Sequence, residues 1–178
     1  MNELSTPLTS SSSPSPVSMK SPLQLNQVDS LTIKSVTDLI NDMIHKNTKK
    51  VKKIKKNKFF SSTIPVMNVY EYILRIVRYT NIESNTLIAA MISLTLYIHR
   101  NKIILCYNNI HRLFLASCYL NAKYHQDINF SLKFFAKVGG VTASELKELE
   151  IEFYAGINYS LDIKESVFQQ YSNIIHRY

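Results

Sequence analysis

From residue 66 onward, apolar stripes of helical spacing alternate with short polar breaks. Val66, Val69, Tyr70, Ile73, Ile76 and Val77 recur at mostly three- and four-residue steps, while Glu71, Arg75 and Arg78 fall elsewhere. This spacing predicts a helix over 66–80. Ser84 is placed to cap a second helix carrying Leu87, Met91, Leu94 and Ile98. A third is expected over 108–124, and between Leu113 and Ala122 it carries no charge. A helix apolar nearly all round, yet too short to span a bilayer, belongs at the centre of a bundle. A short fourth helix is expected over 131–137, stopped by Gly139-Gly140. Thr142 or Ser144 caps a fifth, running to about residue 158 with Leu146, Leu149, Phe153 and Ile157 as its stripe. A last helix is expected from Lys164.

Upstream, Asp29 or Ser30 is available to cap a helix to about Lys46, striped by Leu31, Val36, Leu39, Ile40, Met43 and Ile44. The pattern divides the chain into a Ser/Pro-rich tail (1–28), a flanking helix (29–48), a basic linker (49–62), a helical core domain (63–162) and a C-terminal helix (163–178). The tail is expected to be disordered, because it has too little apolar surface to offset its chain entropy. Ser13, Ser15 and Ser21 each precede a proline. One central helix surrounded by others, joined by short loops, describes a compact all-α bundle.

Composition sharpens this reading. All five prolines lie in the first 65 residues, and the three glycines are Gly139, Gly140 and Gly156. Long stretches without either favour helix over turn-rich β structure. The net charge of +8 is local: Lys49, Lys50, Lys52, Lys53, Lys55, Lys56 and Lys58 carry seven positive charges, and removing those seven from 21 basic residues leaves 14 against 13 acidic ones. A nucleic-acid-binding face, which needs basic residues spread over one surface, is therefore not expected. For the lysine run itself, a solvated linker competes with a nuclear-import signal or an anion-contacting segment. Cys106 and Cys118 lie in apolar stretches and are expected to be buried free thiols. With no membrane-length apolar run and no leader-like N-terminus, an intracellular setting is expected, in the nucleus, the cytoplasm or both.

Chemistry-bearing motifs are missing. There is no Gly-rich phosphate loop, no CxxC, HExxH or EF-hand spacing and no GxSxG, and the five histidines share no metal-ligand spacing. No catalytic residue, metal, cofactor or small-molecule substrate is expected. Two charged residues stand out instead. Lys123 is the first charge after the uncharged run; a cation at a helix C-terminus whose stem covers apolar surface accounts for it. On a wheel centred on Leu146, Glu150 lies about 40° from the stripe, whereas Glu145, Glu148 and Glu152 lie roughly 100° or more away. A carboxylate at that border is partly buried, paired with a neighbouring lysine, or faces something docked on the bundle.

Several motifs stand in order along the chain: Pro65, Tyr72, Arg75-Ile76 and Tyr79; Tyr97-Ile98-His99-Arg100; Ile110-His111-Arg112-Leu113-Phe114-Leu115 with Ala122-Lys123; and Phe135-Ala136-Lys137-Val138-Gly139-Gly140-Val141, followed by Glu145, Leu146, Leu149-Glu150 and Phe153. On these, from about Ser30 to Gln170, the chain resembles the P/U-type cyclins, the class that includes phosphate-sensing cyclins. The resemblance implies a compact five-helix cyclin box with flanking N-terminal and C-terminal helices. It implies as partner a cyclin-dependent protein kinase, whose mobile helix docks on the third and fifth box helices. It further implies that Lys123 and Glu150 bond backbone groups flanking that helix, and that Asp127 stands where this class carries an acid able to meet kinase arginines. His99 replaces the Asp that many cyclins pair with an Arg of the first helix, so packing or His99 itself must hold the box together there. No second box is expected within these residues. Two other readings stay open: a cyclin-like adaptor without kinase activation, using its basic run for nucleic-acid or import contacts, and an enzyme with dispersed residues.

Overall fold

The computed structural model describes residues 28, 30–47, 57–126 and 131–177. Among these are seven helices and no strand: α1 (Ser30–Asn47), α2 (Val69–Thr80), α3 (Ser84–Arg100), α4 (Ile110–His125), α5 (Leu132–Gly139), α6 (Ala143–Gly156) and α7 (Glu165–Arg177). Residues 1–27 of the Ser/Pro tail and most of the lysine run lie outside the described residues, while Val28, at the end of that tail, is buried.

The uncharged run becomes α4, with every residue from Leu113 to Ala122 buried. It packs against α2, α3, α5 and α6, while α7 lies across α1 and α3. Ser117 and Asn121 in this run are satisfied by α3 and by α4 itself. Ser117 Oγ donates to the Ala90 carbonyl at 2.7 Å, and Asn121 Nδ2 donates to Ser93 Oγ at 3.1 Å and to the Ser117 carbonyl at 2.9 Å. These bonds remove the penalty that buried polar groups otherwise carry. Both cysteines are buried and unpaired, as their surroundings predict.

Several boundaries move for local reasons. The second helix of the chain starts at Val69, not Val66: Asn68 accepts from the Glu71 amide at 2.9 Å while Glu71 reaches back to the Asn68 amide, a reciprocal cap. Val66 is thus outside the helix and fully exposed, and the buried face runs through Tyr72 instead of Tyr70. In α1, Leu31 is exposed and Ile33 takes its place in the core. Ser84 is the first helical residue of α3, after an N-cap at Glu83 that makes no side-chain bond. Gly139 closes α5, and Gly140 alone is the left-handed stop, at φ 72°. The Val141 amide then returns to the Ala136 carbonyl at 3.0 Å. Ser131 and Thr142 cap α5 and α6.

Two close approaches set the position of α6. The Gly156 backbone lies so near the Tyr97 ring that a Cβ would collide with it. Tyr97 stacks on Phe153 at 4.7 Å and meets Phe59 edge-on at 5.3 Å. Phe59, in the stretch read as linker, is fully buried. Burial pushes the Tyr97 hydroxyl pKa up to about 12.

Candidate functional site

Lys123 sits in the last turn of α4 and Glu150 in the middle of α6. The two helices pack together, and Lys123 Nζ donates to Glu150 Oε1 at 2.6 Å. The carboxylate is 17% exposed and the lysine 53%, so the pair stands at the surface with its acid set into the helix crevice. That is the stripe-border place found on the wheel. Lys123 Nζ also lies 5.2 Å from the Tyr119 ring centroid. The bond to Glu150 is the main reason the ammonium pKa is held above the ordinary lysine range, against a smaller opposing effect of burial.

Aromatic and apolar side chains lie on the same stretches of α4 and α6. Tyr124 donates from its hydroxyl to Asp162 Oδ1 at 2.8 Å, linking the end of α4 to the segment after α6. Ile151, next along α6, is exposed. Tyr154 meets Tyr159 edge-on at 5.3 Å, with Asn158 and Tyr159 both in the left-handed region at φ 61° and 58°. Asp162 and Tyr159 carry no periodic signal that marks them as partners of Tyr124 and Tyr154; the turn after α6 brings them there.

Of the other singled-out residues, only Lys58 and His99 are described, and neither bonds to this pair. Asp127 lies outside the described residues, as do Lys49, Lys50, Lys52, Lys53, Lys55 and Lys56. Lys58 is 4.0 Å from Glu148, with both side chains more than half exposed. His99 is exposed and makes no box-closing bond; its neighbours do so instead. Arg100 Nη1 donates to the Ile157 carbonyl and Asn101 Nδ2 to the Gly156 carbonyl, each at 3.0 Å, tying the end of α3 to the end of α6.

Burial pushes the Cys118 thiol far above its ordinary range, which leaves almost no thiolate. Among the described residues no group of three or more His, Cys, Asp or Glu is arranged to hold a metal. No helix among them is long and apolar enough to cross a membrane.

Comparison with known proteins agrees with this architecture. The family described as Cyclin matches residues 8–161. Cyclin-U4-2 of Arabidopsis thaliana is 31% identical over 120 residues, 67% of this chain and 56% of that protein. Cyclin-U2-1 of the same plant is 29% identical over 154 residues, 82% of this chain and 69% of the relative. Cyclin-P4-1 of Oryza sativa subsp. japonica is 29% identical over 118 residues, 66% of this chain and 56% of the relative. Two of these three alignments span little more than half of the relative's length. With its helical box, its Val-Gly-Gly-Val turn and these relatives, the chain belongs to the cyclin family, as a member of the P/U type.

Proposed function

We propose that this chain is a non-catalytic regulatory subunit that binds and activates a cyclin-dependent protein kinase. The supporting observation is the Lys123–Glu150 pair, standing 2.6 Å apart at the surface where α4 and α6 meet. A lysine ammonium donates to carbonyl oxygens and a carboxylate accepts from N–H groups, so the two can grip the ends of a partner helix without reading its side chains. Tyr124, Ile151 and Tyr154 supply apolar contact around them. Asp127 follows α4 by two residues in sequence and belongs to the same proposal, as the acid that meets kinase arginines.

Activation is a shift of population. The kinase needs its mobile helix placed so that a Lys–Glu pair within its own site closes. A docked cyclin favours that arrangement only by contacts that the inactive arrangement lacks.

The test is co-purification of the tagged full-length chain with its kinase, followed by a substrate-phosphorylation assay. Lys123→Ala and Glu150→Ala should each reduce recovered kinase and activity together. Undiminished recovery by the double variant would remove the proposal.

A further inference from the structure

Among the described residues, four buried side-chain polar atoms have no hydrogen-bond partner, and two of them, Arg75 Nε and His111 Nδ1, belong to residues lining one pocket. The pocket, about 280 Å³, opens between the segment before α2, the first turn of α4 and the α5–α6 turn. Its distance from the docking pair is set by α4: eleven positions separate Arg112 from Lys123, about 17 Å of helix.

Its walls favour an anion. Arg75, His111 and Arg112 line it and no acidic residue does. Arg75 has one other bond, from Nη2 to the Lys137 carbonyl at 3.4 Å, long for an N–H···O contact. The first turn of α4 has no side-chain cap, because Asn109 spends its Oδ1 on the Cys106 amide. The positive end of α4 therefore adds to the two guanidinium groups. The opposing charge is Glu145, which pairs with Arg112 at 2.6 Å from outside the lining.

His111 gives the pocket a second requirement. It is 8% exposed, and Nε2 is spent on the Met67 carbonyl at 2.9 Å, so Nε2 carries the proton. Burial favours the neutral ring, which leaves Nδ1 as a bare acceptor. Both atoms are shielded from solvent, so a matching ligand must draw these side chains toward the pocket, accepting from Arg75 and donating to His111. A sulfate ion, with no proton at neutral pH, meets only the first condition. A phosphate group that keeps one P–OH meets both.

We propose that this pocket binds a singly protonated phosphate group, either as the inorganic anion or carried on a phosphorylated polypeptide. Arg75 donates to a P–O⁻ oxygen, His111 Nδ1 accepts from the P–OH, and Glu145 competes for Arg112.

Calorimetric titration of the full chain at matched ionic strength and pH 6, where a phosphoserine keeps its P–OH in about half of the molecules, tests this, using inorganic phosphate, a phosphoserine peptide, its unphosphorylated twin and sodium sulfate. Saturable binding of inorganic phosphate, of the phosphoserine peptide alone, or of both is the expected result, and which ligand binds identifies the source. Sulfate should bind roughly tenfold or more weakly. Arg75→Gln should weaken phosphate binding roughly tenfold, while Glu145→Gln should tighten it roughly threefold by freeing Arg112. The gain with Glu145→Gln cannot come from misfolding. Equal binding of sulfate, failure of both phosphate ligands to bind, or no response to either substitution would overturn the assignment.

Discussion

Lys123 and Glu150, 27 residues apart in sequence, are bonded to each other across α4 and α6. The pair is already formed where a kinase helix is proposed to dock. Because Lys123 is half exposed, the bond contributes little to folding, on the order of 1 kcal/mol or less. Lys123→Ala should leave the denaturant midpoint nearly unchanged and weaken kinase association by roughly tenfold or more. Titration of the kinase against both single variants and the double variant measures the coupling. The raised ammonium pKa makes this contribution fully present below the ordinary lysine value, and it is lost only as the pH climbs through the raised one.

Gly156→Ala is expected to destabilise the fold by about 1–3 kcal/mol, because the added methyl collides with the Tyr97 ring, itself stacked on Phe153. Gly140→Ala meets open space and costs about 1 kcal/mol, from its left-handed backbone alone. Chemical denaturation of the two variants distinguishes a crowding cost from a conformational one.

Arg100→Ala and Asn101→Ala each remove a side-chain bond from α3 to the end of α6. Losses of about 0.5–1.5 kcal/mol are expected for each, with faster amide exchange concentrated at the end of α6. Exchange that rises evenly over all helices would contradict a local clamp.

His111 is held neutral by burial, so its pKa in the fold lies below its unfolded value of 6.5. Between those two values the unfolded chain binds a proton that the folded chain does not. Stability is therefore full above about pH 6.5 and declines as pH falls toward the lowered value. His125, also depressed by burial, adds in the same direction. Melting temperature followed from pH 7.5 to 5 should fall, and His111→Gln should flatten the slope.

The helices were legible where one face had to be apolar: α4, buried throughout its middle, and α6, whose stripe placed Glu150 at its border. Local chemistry was legible too, but subtler. Asn68 with Glu71 forms a reciprocal cap that the apolar pattern of Val66 and Tyr70 concealed. The reading of α1 misjudged Leu31 because an exposed leucine near a helix start leaves the same periodic mark as a buried one. What could not be read is what the fold brings across long separations. Tyr124 meets Asp162 across 38 positions and Arg100 meets Ile157 across 57. No spacing rule reaches that far.

The bonds that Ser117 and Asn121 make to α3 have a mechanical consequence. If α4 slipped one turn along α3, Ser117 would lose its partner in a dry interior and Asn121 would keep only its bond to the Ser117 carbonyl, at a cost of about 1–3 kcal/mol for each lost bond. The two helices are keyed, so a load applied at the outer end of one is carried by both.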